Sequence, residues 1–165
     1  VMDGSVELCF DGETPAVLHG IDLPIVSADK VTISSHLILE GVRWQDGIPY
    51  SKASEAQLVI CSAGQDVVSG EATEGGIAVA ETAPADLKLQ ASLTAAAGGF
   101  HIEGTGKAVE ILGALHAGEY DGDGSRLVLY RDDRAAAGEF PRNAPLTAEP
   151  QLSFFSLRVL TWKEY

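Results

Sequence analysis

Asp121, Asp123 and Ser125 alternate in the run Glu119-Tyr120-Asp121-Gly122-Asp123-Gly124-Ser125-Arg126. Oxygen donors at alternate positions open a calcium-binding loop of the helix–loop–helix type, which then needs a glycine at its sixth position and a bidentate glutamate at its twelfth. Here those positions hold Arg126 and Asp132. The flanks Leu115-His116-Ala117 and Leu127-Val128-Leu129-Tyr130 have strand character, and Asp-Gly between two such runs predicts a hairpin turn. The loop is therefore read first as a turn. A weak Ca2+ site at 121–125 is a subsidiary expectation, and no other cofactor is expected.

The four histidines, His19, His36, His101 and His116, form no His-x-His or His-Glu-x-x-His pair of the kind that places two imidazoles on one metal. The best polar cluster is His101, Glu103 and Glu110. His101 and Glu103 share one face of a strand over 99–103, and a reversal at 104–107 would bring Glu110 opposite His101. That cluster is the basis for a metal-dependent barrel enzyme as a second alternative. Other motif fragments fail on their own spacing. Ser27-Ala28-Asp29-Lys30 matches Ser-x-x-Lys but precedes a strand, with no Lys-Thr-Gly elsewhere. Gly104-Thr105-Gly106-Lys107 lacks the first phosphate-loop glycine, since His101 stands there, and Ala108 replaces the magnesium-binding hydroxyl. Catalytic residues are accordingly expected to be absent.

Aromatic side chains offer a different chemistry. Trp44 and Tyr50 flank the loop 45–49, and Trp162 stands near the end of the sequence. Exposed on a flat face, these three would stack on sugar rings, so a carbohydrate-binding module using Trp44, Tyr50 and Trp162 is the first alternative function.

The elements that must position these residues are strands. Apolar and β-branched runs recur about every ten residues between Gly, Pro and Asp punctuation. They predict strands near 5–10, 16–19, 31–39, 57–61, 66–69, 77–80, 87–93, 99–103, 108–117, 126–131 and 152–162. The segment 105–118 also carries a short helical stripe, but Gly113 inside it favours strand. No fixed repeat is visible. The expected fold is all-β: a single antiparallel β-sandwich or jelly-roll-like barrel over 1–165, with at most one short helix and a long irregular Pro-containing arm at 132–150.

With 165 residues, 45% of them hydrophobic, the chain is large enough for one core without staples. A net charge of −13 repels phosphate backbones and anionic headgroups, which excludes nucleic acid as an expected partner. No apolar run is long enough to cross a membrane as a helix, so membrane insertion is not expected. Arg126, Arg131, Arg134, Arg142 and Arg158 bring the last third closer to neutrality, which suits contact with a neighbouring subunit. Cys9 and Cys61 sit in apolar runs and are expected to be buried free thiols. The leading functional expectation is a non-enzymatic structural or adhesive module. It would be a homo-oligomer or part of a larger particle such as a virion decoration, tail or fibre, located on a virion or at the extracellular or cell surface.

Overall fold

The computed structural model describes residues 1–134 apart from 13, 52, 67 and 133. The expected strand at 152–162, Trp162 and most of the 132–150 arm lie outside the described residues. Twelve strands make up the described elements: Val6–Leu8 (β1), Asp22–Ser27 (β2), Val31–Ile33 (β3), Arg43–Gln45 (β4), Ile48–Tyr50 (β5), Gln57–Ser62 (β6), Ile77–Val79 (β7), Asp86–Ala95 (β8), Phe100–Ile102 (β9), Ala108–His116 (β10), Tyr120–Asp121 (β11) and Arg126–Tyr130 (β12).

The all-β expectation holds, but the pairing is parallel. One sheet has the order β1-β3-β7-β9-β11 and a second β12-β10-β8-β6-β2; among the described strands β4-β5 is the antiparallel pair, and an isolated antiparallel bridge joins Gln65 to Ala72. Chain order alternates between the two large sheets, so each circuit adds one strand to each and the chain winds as a solenoid. Isolated parallel bridges Val17↔Leu39 and Leu37↔Leu89 extend the first half of β8 into a third side. β12 pairs only with 108–112 of β10, whereas β6 pairs with 92–95 of β8. The long strands therefore pass from one side of the coil to the next near Ala91 and Gly113.

This replaces the expected antiparallel sandwich, for a physical reason. Alternation of apolar and polar residues reports only that one face is buried. Parallel sheets ordinarily bury both faces and lose that alternation. Here β3, β9 and most of β10 alternate buried and more exposed positions, so these parallel strands carry the pattern usual for antiparallel ones, whereas β6 and β7 are buried throughout.

Inside the coil, side chains stack in columns. Val31, Ile77 and Phe100 form one row with no exposed surface, and Ile33, Val79 and Ile102 form another. Facing them are Leu37, Leu89 and Ile111, then Leu58, Ile60 and Leu93, all in the same core. The spacing between rungs is unequal, because the hairpin β4-β5 and the loop 64–76 are inserted between Val31 and Ile77. That irregularity hid the repeat from a search at fixed period.

Corners are fastened by polar groups. Buried Lys107 donates Nζ to the carbonyls of Glu81 (2.8 Å) and Ala83 (2.7 Å), tying one corner to the corner of the preceding coil. Other sequence expectations also shift. Asp66, Val68 and Ser69, in the expected 66–69 strand, instead belong to a turn in which Asp66 Oδ1 accepts the N–H groups of Val68 (3.0 Å) and Ser69 (2.5 Å). β2 was not anticipated, since Pro24 interrupts its pattern, but Pro24 is tolerated in this outermost strand of its sheet. Cys61 is buried, which pushes its thiol pKa up, whereas Cys9 is exposed and corrects the expectation of burial; both are free.

Gly113 has φ 142°, and a Cβ there would lie 2.3 Å from the Ala91 carbonyl oxygen. Gly113→Ala is expected to destabilise the protein by at least about 2 kcal/mol in urea unfolding, because both backbone strain and overpacking oppose it. Gly106→Ala, where a Cβ meets nothing within 4 Å, shares the positive φ but not the clash and should cost less.

Candidate functional site

The hairpin β4-β5 lies against the outer face of the solenoid wall built by β8, β10 and β12. In its register Trp44 pairs with Pro49, and Arg43 with Tyr50. Trp44 and Pro49 are half-buried towards the wall, while Arg43, Gln45, Ile48 and Tyr50 are exposed. Trp44 meets Tyr130 edge-on, with ring centroids 5.5 Å apart, and Lys88 Nζ stands 5.3 Å from the Trp44 ring centre. The Tyr130 hydroxyl donates to the Gly47 carbonyl at 3.0 Å, so the hairpin tip reaches the last described coil.

Glu110 takes both neighbouring cations, Lys88 at 3.6 Å and Arg126 at 3.8 Å. Lys88 and Glu110 are cross-strand partners, as are Asp86, Ala108 and Arg126 in the adjacent row. The cluster is thus a self-neutralising row of charge beneath an aromatic roof. Its cation–π contact and partly exposed ion pairs are each worth on the order of 1 kcal/mol, enough to seat the hairpin. Gln90 follows Lys88 on the same face of β8 and fixes the hairpin root, its Oε1 accepting the Leu39 N–H at 2.6 Å.

A second fastener lies where the chain leaves the last described coil. Arg134 and Asp132 form a buried ion pair at 2.6 Å. Arg134 Nη1 also donates to the carbonyls of Ala56 (2.6 Å) and Ser54 (3.2 Å), and the Ser51 hydroxyl donates to Asp132 at 2.8 Å. Burial pushes the Asp132 carboxyl up, but the hydrogen bonds from Arg134 and Ser51 and the Arg134 charge outweigh it and hold the carboxyl below its ordinary range.

The sequence-derived candidates are placed as follows. Trp44 and Tyr50 are on opposite faces of the hairpin and do not form one platform; Trp162 is outside the described residues. Asp121 lies on the outer face of β11, in register with His101. Asp123 and Ser125 belong to a corner turn, with the Ser125 N–H donating to the Gly122 carbonyl (2.9 Å) and its hydroxyl accepting from the Lys107 N–H (3.3 Å). The Asp-Gly pair therefore turns the chain from one side of the coil to the next, and the expected hairpin is not formed. His101 sits on the first sheet, Glu103 follows it and pairs with Lys30 at 3.2 Å, and Glu110 is on the second sheet. The expected reversal at 104–107 is a corner, which separates Glu110 from His101. Among the described residues no group of three His, Cys, Asp or Glu could hold a metal ion. The Ser27 hydroxyl donates to the Gly4 carbonyl at 2.5 Å and Lys30 is engaged by Glu103.

Lys88 and Tyr130 are not singled out by sequence reasoning, and Asp132 and Arg134 enter it only as a loop position and as one of the arginines of the last third. Lys88 and Tyr130, and the Arg134 bonds to Ser54 and Ala56, reach partners one or more coils away, which no local spacing signals. Comparison with protein-family models, with curated proteins and with solved structures finds no match to this chain.

Arg134→Ala leaves the Asp132 charge buried without its main partner and is expected to cost about 3–5 kcal/mol in chemical denaturation. Because the Asp132 carboxyl is depressed in the folded state, its contribution is present above the unfolded value near pH 4 and disappears as pH falls through the lower, folded one. In the Asp132→Asn variant this acid-dependent loss of stability should be smaller than in the parent, as measured by thermal unfolding between pH 2 and pH 7.

Proposed function

We propose that this chain is a non-enzymatic structural or adhesive segment of a larger assembly, of the kind found as a virion decoration, tail or fibre component or at a cell surface. The observation that carries this reading is the continuous parallel stack, in which five strands of the first sheet follow one another in register, β1-β3-β7-β9-β11, among the described residues. Stacked coils make a stiff spacer that can be lengthened or joined without changing its cross-section. The surviving polar clusters support the same reading. Lys88, Glu110, Arg126, Asp132 and Arg134 are engaged with one another or with the main chain, and serve to fasten inserted segments onto the coil. The size of the native particle tests this: the chain is expected to sediment from its source as part of a species much larger than 17.3 kDa. A stable free monomer there would count against it.

A glycan-binding role is the second reading, and it is favoured by the exposed hairpin face that carries Tyr50 beside Arg43. With Trp44 turned to the wall, Tyr50 is the aromatic contact available on that face. Tyr50→Ala should then abolish any signal on a glycan array, and an array without signal for the parent protein would remove this reading.

A further inference from the structure

We propose that the hairpin β4-β5 is seated through an acid-releasable latch, in which the unprotonated Nδ1 of His36 stands in for a main-chain carbonyl of the ladder.

The hairpin grows out of the segment 35–39, which runs beside the first half of β8. Among the described residues the main-chain bonds between the two are made at Leu37. Its N–H donates to the Lys88 carbonyl at 2.9 Å, and its carbonyl accepts the Gln90 N–H at 2.8 Å. A continued parallel ladder would join the Lys88 N–H to the Ser35 carbonyl and the Leu39 N–H to the Gln90 carbonyl. At both places a side chain takes the bond instead. The Lys88 N–H donates to His36 Nδ1 at 3.1 Å, and the Leu39 N–H donates to Gln90 Oε1 at 2.6 Å. The root of the hairpin is thus closed on either side of Leu37 by a substitute acceptor.

The two substitutes differ in one respect. An amide oxygen accepts at any pH, whereas a ring nitrogen accepts only while it carries no proton. The main-chain N–H of Lys88 can only donate, so its contact fixes the imidazole as the tautomer with the proton on Nε2. A second proton would enter at Nδ1 and face another N–H. The bond and the added charge therefore exclude each other, and acid leaves the Lys88 N–H without this acceptor.

Register places the surrounding charges. Lys88 stands opposite His36 on β8, Glu110 lies beyond it, and Asp86 is two residues from Lys88 on the same face. On the preceding coil Thr14 holds the opposite position and is bonded to Asp11. Glu40, on the segment itself, accepts the His19 N–H at 2.7 Å. A charged His36 would add a second cation beside Lys88. Asp11, Glu40 and Asp86 would favour a cation, but all three are exposed and water screens them. Lys88 also carries the cation–π contact to Trp44, so losing its main-chain bond loosens the floor on which the hairpin sits.

Amide hydrogen exchange of the full chain, followed by NMR between pH 7.5 and pH 5 and corrected for the intrinsic rate at each pH, tests the latch. Protection of the Lys88 amide is expected to fall about fivefold on acidification, the loss of one neutral hydrogen bond. The hairpin amides of 43–50 should follow, while Ile77 and Phe100 in the first sheet keep their protection. His36→Asn retains an acceptor near the Nδ1 position that does not titrate, and should hold the Lys88 amide protected across the whole range. His36→Ala has no acceptor there and should leave it less protected at every pH. His19, His101 and His116 remain in both variants, so a pH dependence that survives in His36→Asn belongs to them and overturns the latch. Constant Lys88 protection in the parent overturns it too. The ring nitrogens of the parent at pH 7.5, read by 15N NMR, need no variant: a bare Nδ1 and a protonated Nε2 are expected, and a proton on Nδ1 would refute the proposal outright.

Discussion

The structure depends on one constraint: successive coils must present their main-chain donors and acceptors to each other in register. Once Val31 bonds to the residue before Ile77, and Ile77 to the residue before Phe100, the side chains of each row are fixed one above another. Apolar residues then fall into inward columns and polar ones into outward columns. The core is a by-product of that register, because a slip of one residue would exchange the two sets. Among the described residues, insertions sit at corners, where the hairpin β4-β5 and the segment between β6 and β7 leave and rejoin the stack without breaking a rung.

Polar side chains do a different job from the apolar columns. The columns hold neighbouring coils together, and the Lys88–Glu110–Arg126 ion pairs run along the same ladder, whereas Lys107, Tyr130 and Arg134 reach segments that are not ladder neighbours. Lys107 joins corners, Glu110 and Lys88 seat the hairpin, and Arg134 draws the exit from the last described coil back to Ser54 and Ala56. The exposed members of this set contribute little stability individually. The buried Asp132–Arg134 pair matters more, since breaking it strands a charge in a site that water does not reach.

Much of this was legible in the sequence, and the limit has a clear physical origin. The strand content, the strand character of 108–116 despite its helical stripe, and the turn at Asp121–Ser125 follow from local propensity and side-chain alternation. The direction of pairing does not. Val31-Thr32-Ile33 alternates in the same way whether its neighbours run parallel or antiparallel, and an Asp-Gly turn looks alike at a hairpin and at a coil corner. Every candidate site that relied on a reversal of the chain was therefore misassembled. His101 and Glu110 would converge across a hairpin but are carried to different sheets by a corner. Trp44 and Tyr50 were read as companions because they flank one loop, yet the two-residue period of that hairpin puts them back to back. The contacts of Lys88, Tyr130 and Arg134 cross whole coils, and nothing in their sequence neighbourhood marks them.

Nuclear Overhauser contacts between backbone protons of the first sheet test the parallel stack most directly. The account predicts in-register contacts linking Val31 with Ile77 and Ile77 with Phe100, with none pairing 87–93 against 99–103. Close Hα–Hα contacts between those last two segments, the mark of an antiparallel hairpin, would contradict it.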